Sequence, residues 1–317
     1  MNRFCVGYSH PIDLTTTRTA RALHGSAQSV GWDFVRKLFY PGHFRLLLAL
    51  CVVCSHLSSV GIGRPAVFAF FILSGYWVTR MYETKYQPSA GAWLFYLSRF
   101  MRIWLAFATA YLLAMFVYQA IGRPQSPETL LGIFIFGVAS LKHDILGTTW
   151  SLDIELQFYV ALPLIWLMLK ASAPSARSLP AIILAVAALM ISGWVLQLEF
   201  GAWTFLSYLP SFMMGALIWR HRLSASAQGA IYSLGAFLSV GVLIWLLPQT
   251  HAFLQSNAAS PFNDDWFGMA WVSLLIPFIS WNVNQKSSAL DMHFGNYSYA
   301  IYITHWPVIA IMKTCLG

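Results

Sequence analysis

Ten apolar runs, at residues 45–60, 66–80, 96–118, 128–141, 150–169, 180–197, 203–219, 230–248, 266–281 and 297–313, follow one another with only short polar breaks. A helix needs about 20 such residues to cross ~30 Å of hydrocarbon. There it closes its own backbone hydrogen bonds, which an isolated strand cannot do. The breaks are turn-forming pieces such as "GIGRP", "GRPQSPE", "KASAPSARSLP" and "NAASPFNDD". The expected fold is therefore all-α, a polytopic integral membrane helix bundle with about 9–10 transmembrane segments. Composition excludes the soluble alternative. Only 9% of the 317 residues are charged, and a water-soluble domain carries about 25%.

Residues 1–43 read as a basic N-terminal arm with Arg3, Arg18, Arg21, Arg36 and Lys37, ending in a short amphipathic helix near 32–40. Residues 44–317 read as the transmembrane domain. The arm is too mixed and polar for a secretory leader, so the first span is expected to be retained. Its charge places it in the cytoplasm, as Lys and Arg do for the linkers holding Arg80 and Lys85, Lys170 and Arg177, and Arg220 and Arg222. These linkers share one side only if run 128–141 enters and leaves on a single face, giving nine full spans and one partial segment in place of ten. The net charge of +8 is thus spent on membrane anchoring, and nucleic acid is not an expected partner. Cys51 and Cys54 form a CxxC within an apolar run, with no Cys or His at ligand spacing nearby. They read as small buried hydrophobes, and no metal is expected.

Polar residues inside the runs point to chemistry. Arg45 and His56 are eleven residues apart, within roughly 20° of one helical face and about 16 Å apart along the axis. Arg45 at the rim suits a phosphate-bearing ligand, and His56 at depth suits a proton acceptor. The plainer alternative is that Arg45 snorkels and His56 bonds a neighbouring helix. In "TTWSLDIELQFYVALPLIW", Ser151 and Glu155 share a face, Tyr159 follows one turn on and Asp153 points elsewhere. Carboxylates within a span are costly and face a partner or a cavity, so Glu155 is a candidate to orient His56. Arg99 and Arg102 can clamp phosphate or simply anchor the helix. His305, seven residues after Ser298 in the last run, is a candidate for substrate contact. His143 and Asp144 flank the partial segment, and His251 and His293 read as loop residues.

Five motifs in consistent order resemble membrane acyltransferase family 3, the integral-membrane O-acyltransferases that modify bacterial surface sugars. They are Arg45 and His56 separated by ten residues, and the "FFxLSG" element Phe70, Phe71, Leu73, Ser74 and Gly75. An "RxxR" follows at Arg99 and Arg102, then Trp150, Ser151, Leu152, Glu155, Phe158 and Tyr159, and last Ser298, Tyr299, Tyr302, His305 and Pro307. Two family features are absent: an acidic residue before the "FF" pair, where Phe68 and Ala69 stand, and the acidic opening ahead of Arg45. No hydrolase-like domain is expected after the last span.

The resemblance implies a multi-pass protein of the bacterial inner membrane. It moves an acyl group, acetyl from acetyl-CoA, to a sugar hydroxyl of a cell-surface polysaccharide or lipid-linked glycan. His56 and Glu155 are then the catalytic residues. Arg45, Arg99, Arg102, Ser151, Tyr159 and His305 bind substrate. A loose GxSxG likeness in "FILSGY" supplies no nucleophile, and close helix packing through Ser74 and Gly75 fits it better. A multi-span transporter also needs intramembrane His and Glu, but no inverted repeat is visible. A non-catalytic scaffold of glycan export is a third reading.

Overall fold

Apolar side chains cover the outside of these helices as well as the inside. Phe116, Leu184 and Trp245 are 71%, 74% and 70% exposed, a surface that only hydrocarbon tolerates at this extent. The computed structural model describes residues 39–58, 61–89, 91–134, 144–171, 178–247, 250 and 264–315. The arm up to residue 38, His143, Arg177 and His251 lie outside the described residues. The chain divides after Tyr40, and the described helices all belong to the part beginning at Pro41.

These helices are α1 (Pro41–Leu57), α2 (Gly63–Met81), α3 (Gly91–Ala120), α4 (Thr149–Ala171), α5 (Ser178–Phe200), α6 (Leu209–Arg220), α7 (Ala227–Leu246), α8 (Asp264–Ser273), α9 (Ile276–Asn282) and α10 (Ala289–Cys315). Among the described residues, α3, α4, α5 and α7 are long and apolar enough to cross a membrane, while α1 is apolar but shorter. The structure is a polytopic membrane helix bundle. Two runs read as continuous spans are divided. Run 203–219 becomes a 3-10 turn, Phe205–Tyr208, and then α6. Run 266–281 breaks at Leu274–Leu275 between α8 and α9. Pro210 and Pro277 stand in the first turns of α6 and α9, where a missing N–H costs nothing and a new helix starts readily. The described part of run 128–141 is a 3-10 segment, Pro127–Phe134. It is tied to α3 by Tyr111 Oη donating to the Thr129 carbonyl at 2.6 Å and Trp104 Nε1 to that of Ile133 at 3.0 Å.

At the centre of the bundle, α2 packs on α1, α4, α6 and α8, and α10 lies along α1 and α3. By contrast α5 buries only 6% of its apolar window, against 50% for α4, so α5 faces lipid and α4 faces protein. Phe71, Phe158 and Phe212 stack in the core, with centroids 4.6 and 4.1 Å apart. The "LSG" element divides its work: Ser74 turns to a polar partner, and Gly75 lets α2 meet α6 backbone to backbone. A Cβ at Gly75 would strike the Phe212 backbone, and one at Gly215 that of Ile72 and Tyr76.

Neither neighbour can yield without parting the helices. Gly215→Val is expected to cost about 3 kcal/mol or more by overpacking. It should show as a lower thermal midpoint in detergent, whereas Gly235→Val, where nothing stands within 4 Å, should not.

Basic residues that a strict count of ten spans would separate share one end. Arg80 lies over the Trp77 and Trp219 rings, Arg222 over Trp219, and Lys170 over Trp166, which packs on Tyr82. Glu83 accepts from Trp219 Nε1 at 2.5 Å and lies 3.9 Å from Arg220.

Candidate functional site

Polar side chains inside the bundle collect at two levels along α1, about 16 Å apart on one face. At the lower level the half-buried Arg45 guanidinium lies over the Trp77 ring, 5.5 Å from its centroid. Arg102, Asp291, Glu155 and Tyr159 are close enough to act on its charge. Glu155 accepts hydrogen bonds from Ser74 Oγ at 2.5 Å and from the Tyr159 hydroxyl. Arg99 is 7% exposed and neighbours Tyr86 and Tyr159. Its Nε has no hydrogen-bond partner among the described residues. A buried guanidinium N–H without an acceptor is costly, and an anionic ligand would satisfy it. Arg102, one turn further on, is exposed.

Asp291 of α10 holds this level together. It accepts from the Gly42 and His43 amides at 3.0 and 2.9 Å, from His43 Nδ1 at 2.7 Å and from Ser287 Oγ. No acidic residue stands in the first turn of α1; α10 brings one to its unpaired amides. Gly42 is needed because a Cβ there would meet the Asp291 backbone.

At the upper level the His56 and His305 rings stack, with centroids 5.2 Å apart and planes 20° apart, and Trp306 presents an edge at 4.8 Å. His305 is buried, and its Nδ1 lies 2.9 Å from the Tyr302 carbonyl. A carbonyl only accepts, so Nδ1 carries a hydrogen, and in the neutral ring Nε2 keeps its lone pair. That Nε2 is buried with no partner among the described residues. His56, Ser55, Arg64, Thr148, Trp150 and Tyr302 help to line a cavity of about 390 Å³. Ser151 gives its hydrogen to the Thr148 carbonyl at 2.8 Å and so accepts from the Tyr302 hydroxyl at 2.6 Å.

The site residues read from sequence therefore fall into two groups. Arg45, Arg99, Arg102, Glu155 and Tyr159 belong to the lower level, and His56, His305 and Ser151 to the upper. The structure does not bring Glu155 to His56. Its bonded partners are Ser74 and Tyr159, while the groups acting on the His56 charge are His305 and Lys313. Asp153, which points away from the face of Ser151 and Glu155, is fully buried and accepts from Gln157 Nε2 at 3.2 Å. Gln157 also bonds the Trp203 carbonyl and the Phe205 amide. Asp144 caps α4 through the Thr149 amide and hydroxyl at 3.1 and 2.5 Å. Burial pushes its carboxyl above the usual range, against those bonds. Cys54 is exposed rather than buried, and His293 lies in α10. Among the described residues, no group of three or more His, Cys, Asp or Glu side chains could hold a metal ion.

Two curated relatives resemble the chain. A Komagataeibacter xylinus protein described as a membrane-bound transacylase is 27% identical over 53% of this chain and 42% of its own length. Nodulation protein 10 of Rhizobium leguminosarum bv. viciae is 26% identical over 78% of this chain and 73% of its own. The matched part is thus less than half of the first relative. No solved structure matches the chain. The motifs that converge on the two levels lie within residues 39–317, the stretch that matches the Acyltransferase domain, and the chain belongs to membrane acyltransferase family 3.

Proposed function

We propose that the protein is a multi-pass O-acyltransferase of the bacterial inner membrane. It transfers acetyl from acetyl-CoA to a sugar hydroxyl of a cell-surface polysaccharide or lipid-linked glycan. The observation that carries this reading is the histidine pair: His56 opens on a cavity and stacks on a buried histidine whose Nε2 is a bare base.

The arginine level fits the donor. Arg45 and Arg99 would hold its phosphates with Arg102 at the rim, and the unsatisfied Nε of Arg99 is the fitting atom. When bound, the donor supplies the acyl group as a thioester. Glu155 offsets part of the positive charge while no phosphate is present and holds Ser74 and Tyr159 in place.

His56 takes the proton of the acceptor hydroxyl as its oxygen bonds to the acyl carbon. The carbon–sulfur bond breaks, and the proton ends on the departing thiol. His305 is the second proton-holding site. Two rings stacked this closely resist carrying positive charge together, so the pair takes up at most one added proton and can release it. Tyr302, whose hydroxyl donates to Ser151, is thereby fixed at the cavity wall.

Membranes containing the protein, supplied with acetyl-CoA labelled in its acetyl group, are expected to carry label into the base-labile ester fraction of envelope glycan. Label moving across sealed vesicles without ester formation would overturn the reading in favour of transport.

A further inference from the structure

From the arginine level a ladder of alternating cations and indoles runs to the end of the bundle where α2 and α6 finish. The Trp77 ring has the Arg45 guanidinium 5.5 Å from its centroid and that of Arg80 at 5.1 Å. Arg80, in the last turn of α2, lies in turn 5.3 Å from the Trp219 centroid, and Arg222 lies 3.5 Å from the same ring. Stacking engages the flat face of a guanidinium and leaves its N–H edge free for an acceptor. Among the described residues neither Arg80 nor Arg222 is paired with a carboxylate. Glu83, beside them, accepts from Trp219 Nε1 and lies 3.9 Å from Arg220, so it orients the indole and offsets a different arginine. The buried Trp77 Nε1 also lacks a partner among the described residues.

Arg222 stands where glycine is the usual residue. Its φ is +52°. Its amide donates to the Trp219 carbonyl at 3.2 Å and that of Leu223 to the Ile218 carbonyl at 3.0 Å, which closes the end of α6. A side chain costs free energy in that left-handed conformation. What the arginine supplies there is a guanidinium laid over Trp219. Membrane anchoring does not require it, since Arg220 already brings a positive charge to the same helix end.

We propose that Arg80 and Arg222 form the subsite for the 3′-phosphate on the ribose of the donor; the inference rests on the acyl-transfer reading above, with acetyl-CoA as donor. That donor carries phosphate in two places, a diphosphate and a separate ribose monoester. The diphosphate fits the level of Arg45 and Arg99, and Trp77, which touches both Arg45 and Arg80, joins that level to the second. A phosphate monoester carries a charge of about −1.5 to −2 at pH 7. It matches two guanidiniums that no acid offsets, and its oxygens accept from their free edges. A phospholipid phosphodiester, with a single negative charge, matches them less well. Arg222 is exposed and Arg80 half-buried, so a ligand arriving from outside the bundle reaches both.

The test is equilibrium binding to the full-length protein in nanodiscs of phosphatidylcholine. The two ligands are labelled acetyl-CoA and labelled acetyl-dephospho-CoA, which lacks only the 3′-phosphate. Wild type is expected to bind acetyl-CoA more than about tenfold more tightly, as befits charge-assisted hydrogen bonds to one phosphate. Arg222→Gly is expected to lose about tenfold in affinity for acetyl-CoA and nothing for acetyl-dephospho-CoA. Its thermal midpoint should hold or rise, because glycine suits the left-handed turn. Arg80→Gln should show the same selective loss.

Equal affinity of wild type for the two ligands, no binding of either, or full discrimination retained in Arg222→Gly would overturn the subsite. So would a thermal midpoint in detergent that phosphatidylglycerol raises in wild type but not in Arg222→Gly, with discrimination unchanged; the arginines would then hold lipid headgroups. Discrimination lost as expected, with no ester ever formed from acetyl-CoA, would overturn the acyl-transfer reading and leave the phosphate subsite standing.

Discussion

His56→Ala is expected to lower the turnover of acyl transfer by about 10²–10⁴-fold, the usual worth of a positioned general base. Its KM for acetyl-CoA should stay within about twofold, because the arginines lie about 16 Å down the same helix face. His305→Ala should lose a comparable factor if the stacked rings share one proton. The double variant should then lose little more than the worse single one, since residues acting as a unit are not additive. Steady-state release of CoA thiol against acetyl-CoA concentration measures both parameters. The His56 ring borders a cavity of about 390 Å³, so its removal leaves space that free imidazole can enter. Added imidazole should restore part of the lost rate in His56→Ala and none in His305→Ala, whose ring is only 5% exposed. A His56→Ala enzyme that keeps its turnover but shows a raised KM would make the imidazole a binding group and move the base elsewhere.

The placement of these residues was legible in the sequence wherever it depends on position within one helix. The eleven-residue interval put Arg45 and His56 on one face before any neighbour was known, and the helix Pro41–Leu57 carries both. Likewise Ser151, Glu155 and Tyr159 share a face of α4. What a helical face does not disclose is which helix lies against it. Glu155 faces inward as expected, but α2 presents Ser74 to it rather than α1 presenting His56. Asp291 bonds to Gly42, 249 residues away, and nothing local in either segment advertises the contact. The signal for Arg80 and Arg222 was present in weak form, as charges at the edges of apolar runs. Anchoring explains such residues equally well until the fold sets both on the Trp219 ring. Runs 203–219 and 266–281 are divided for a local reason that could have been weighed. Pro210 and Pro277 each sit where a new helix starts, and a hydropathy window does not register a missing amide hydrogen.

Arg99→Ala is expected to raise the KM for acetyl-CoA about 30-fold, corresponding to about 2 kcal/mol for a lost charge-assisted hydrogen bond in a buried setting. Turnover at saturating donor should change little, because the histidine level is untouched. Of the three arginines Arg99 is the sharpest test: it is 7% exposed and its Nε lacks an acceptor, whereas Arg102 is exposed and Arg45 already rests on Trp77. An anchoring arginine would have its charge in the headgroup region, and its loss would lower stability without touching donor affinity. Acetyl-pantetheine, which carries the thioester but no phosphate, separates the two roles. If Arg99 meets phosphate, wild type should favour acetyl-CoA over acetyl-pantetheine in kcat/KM, and Arg99→Ala should lose most of that preference while handling acetyl-pantetheine as wild type does. Arg99→Lys should fall between, keeping the charge but not the planar fork. An undiminished preference in Arg99→Ala would assign the phosphates to Arg45 and Arg102 and leave the buried Nε to another ligand.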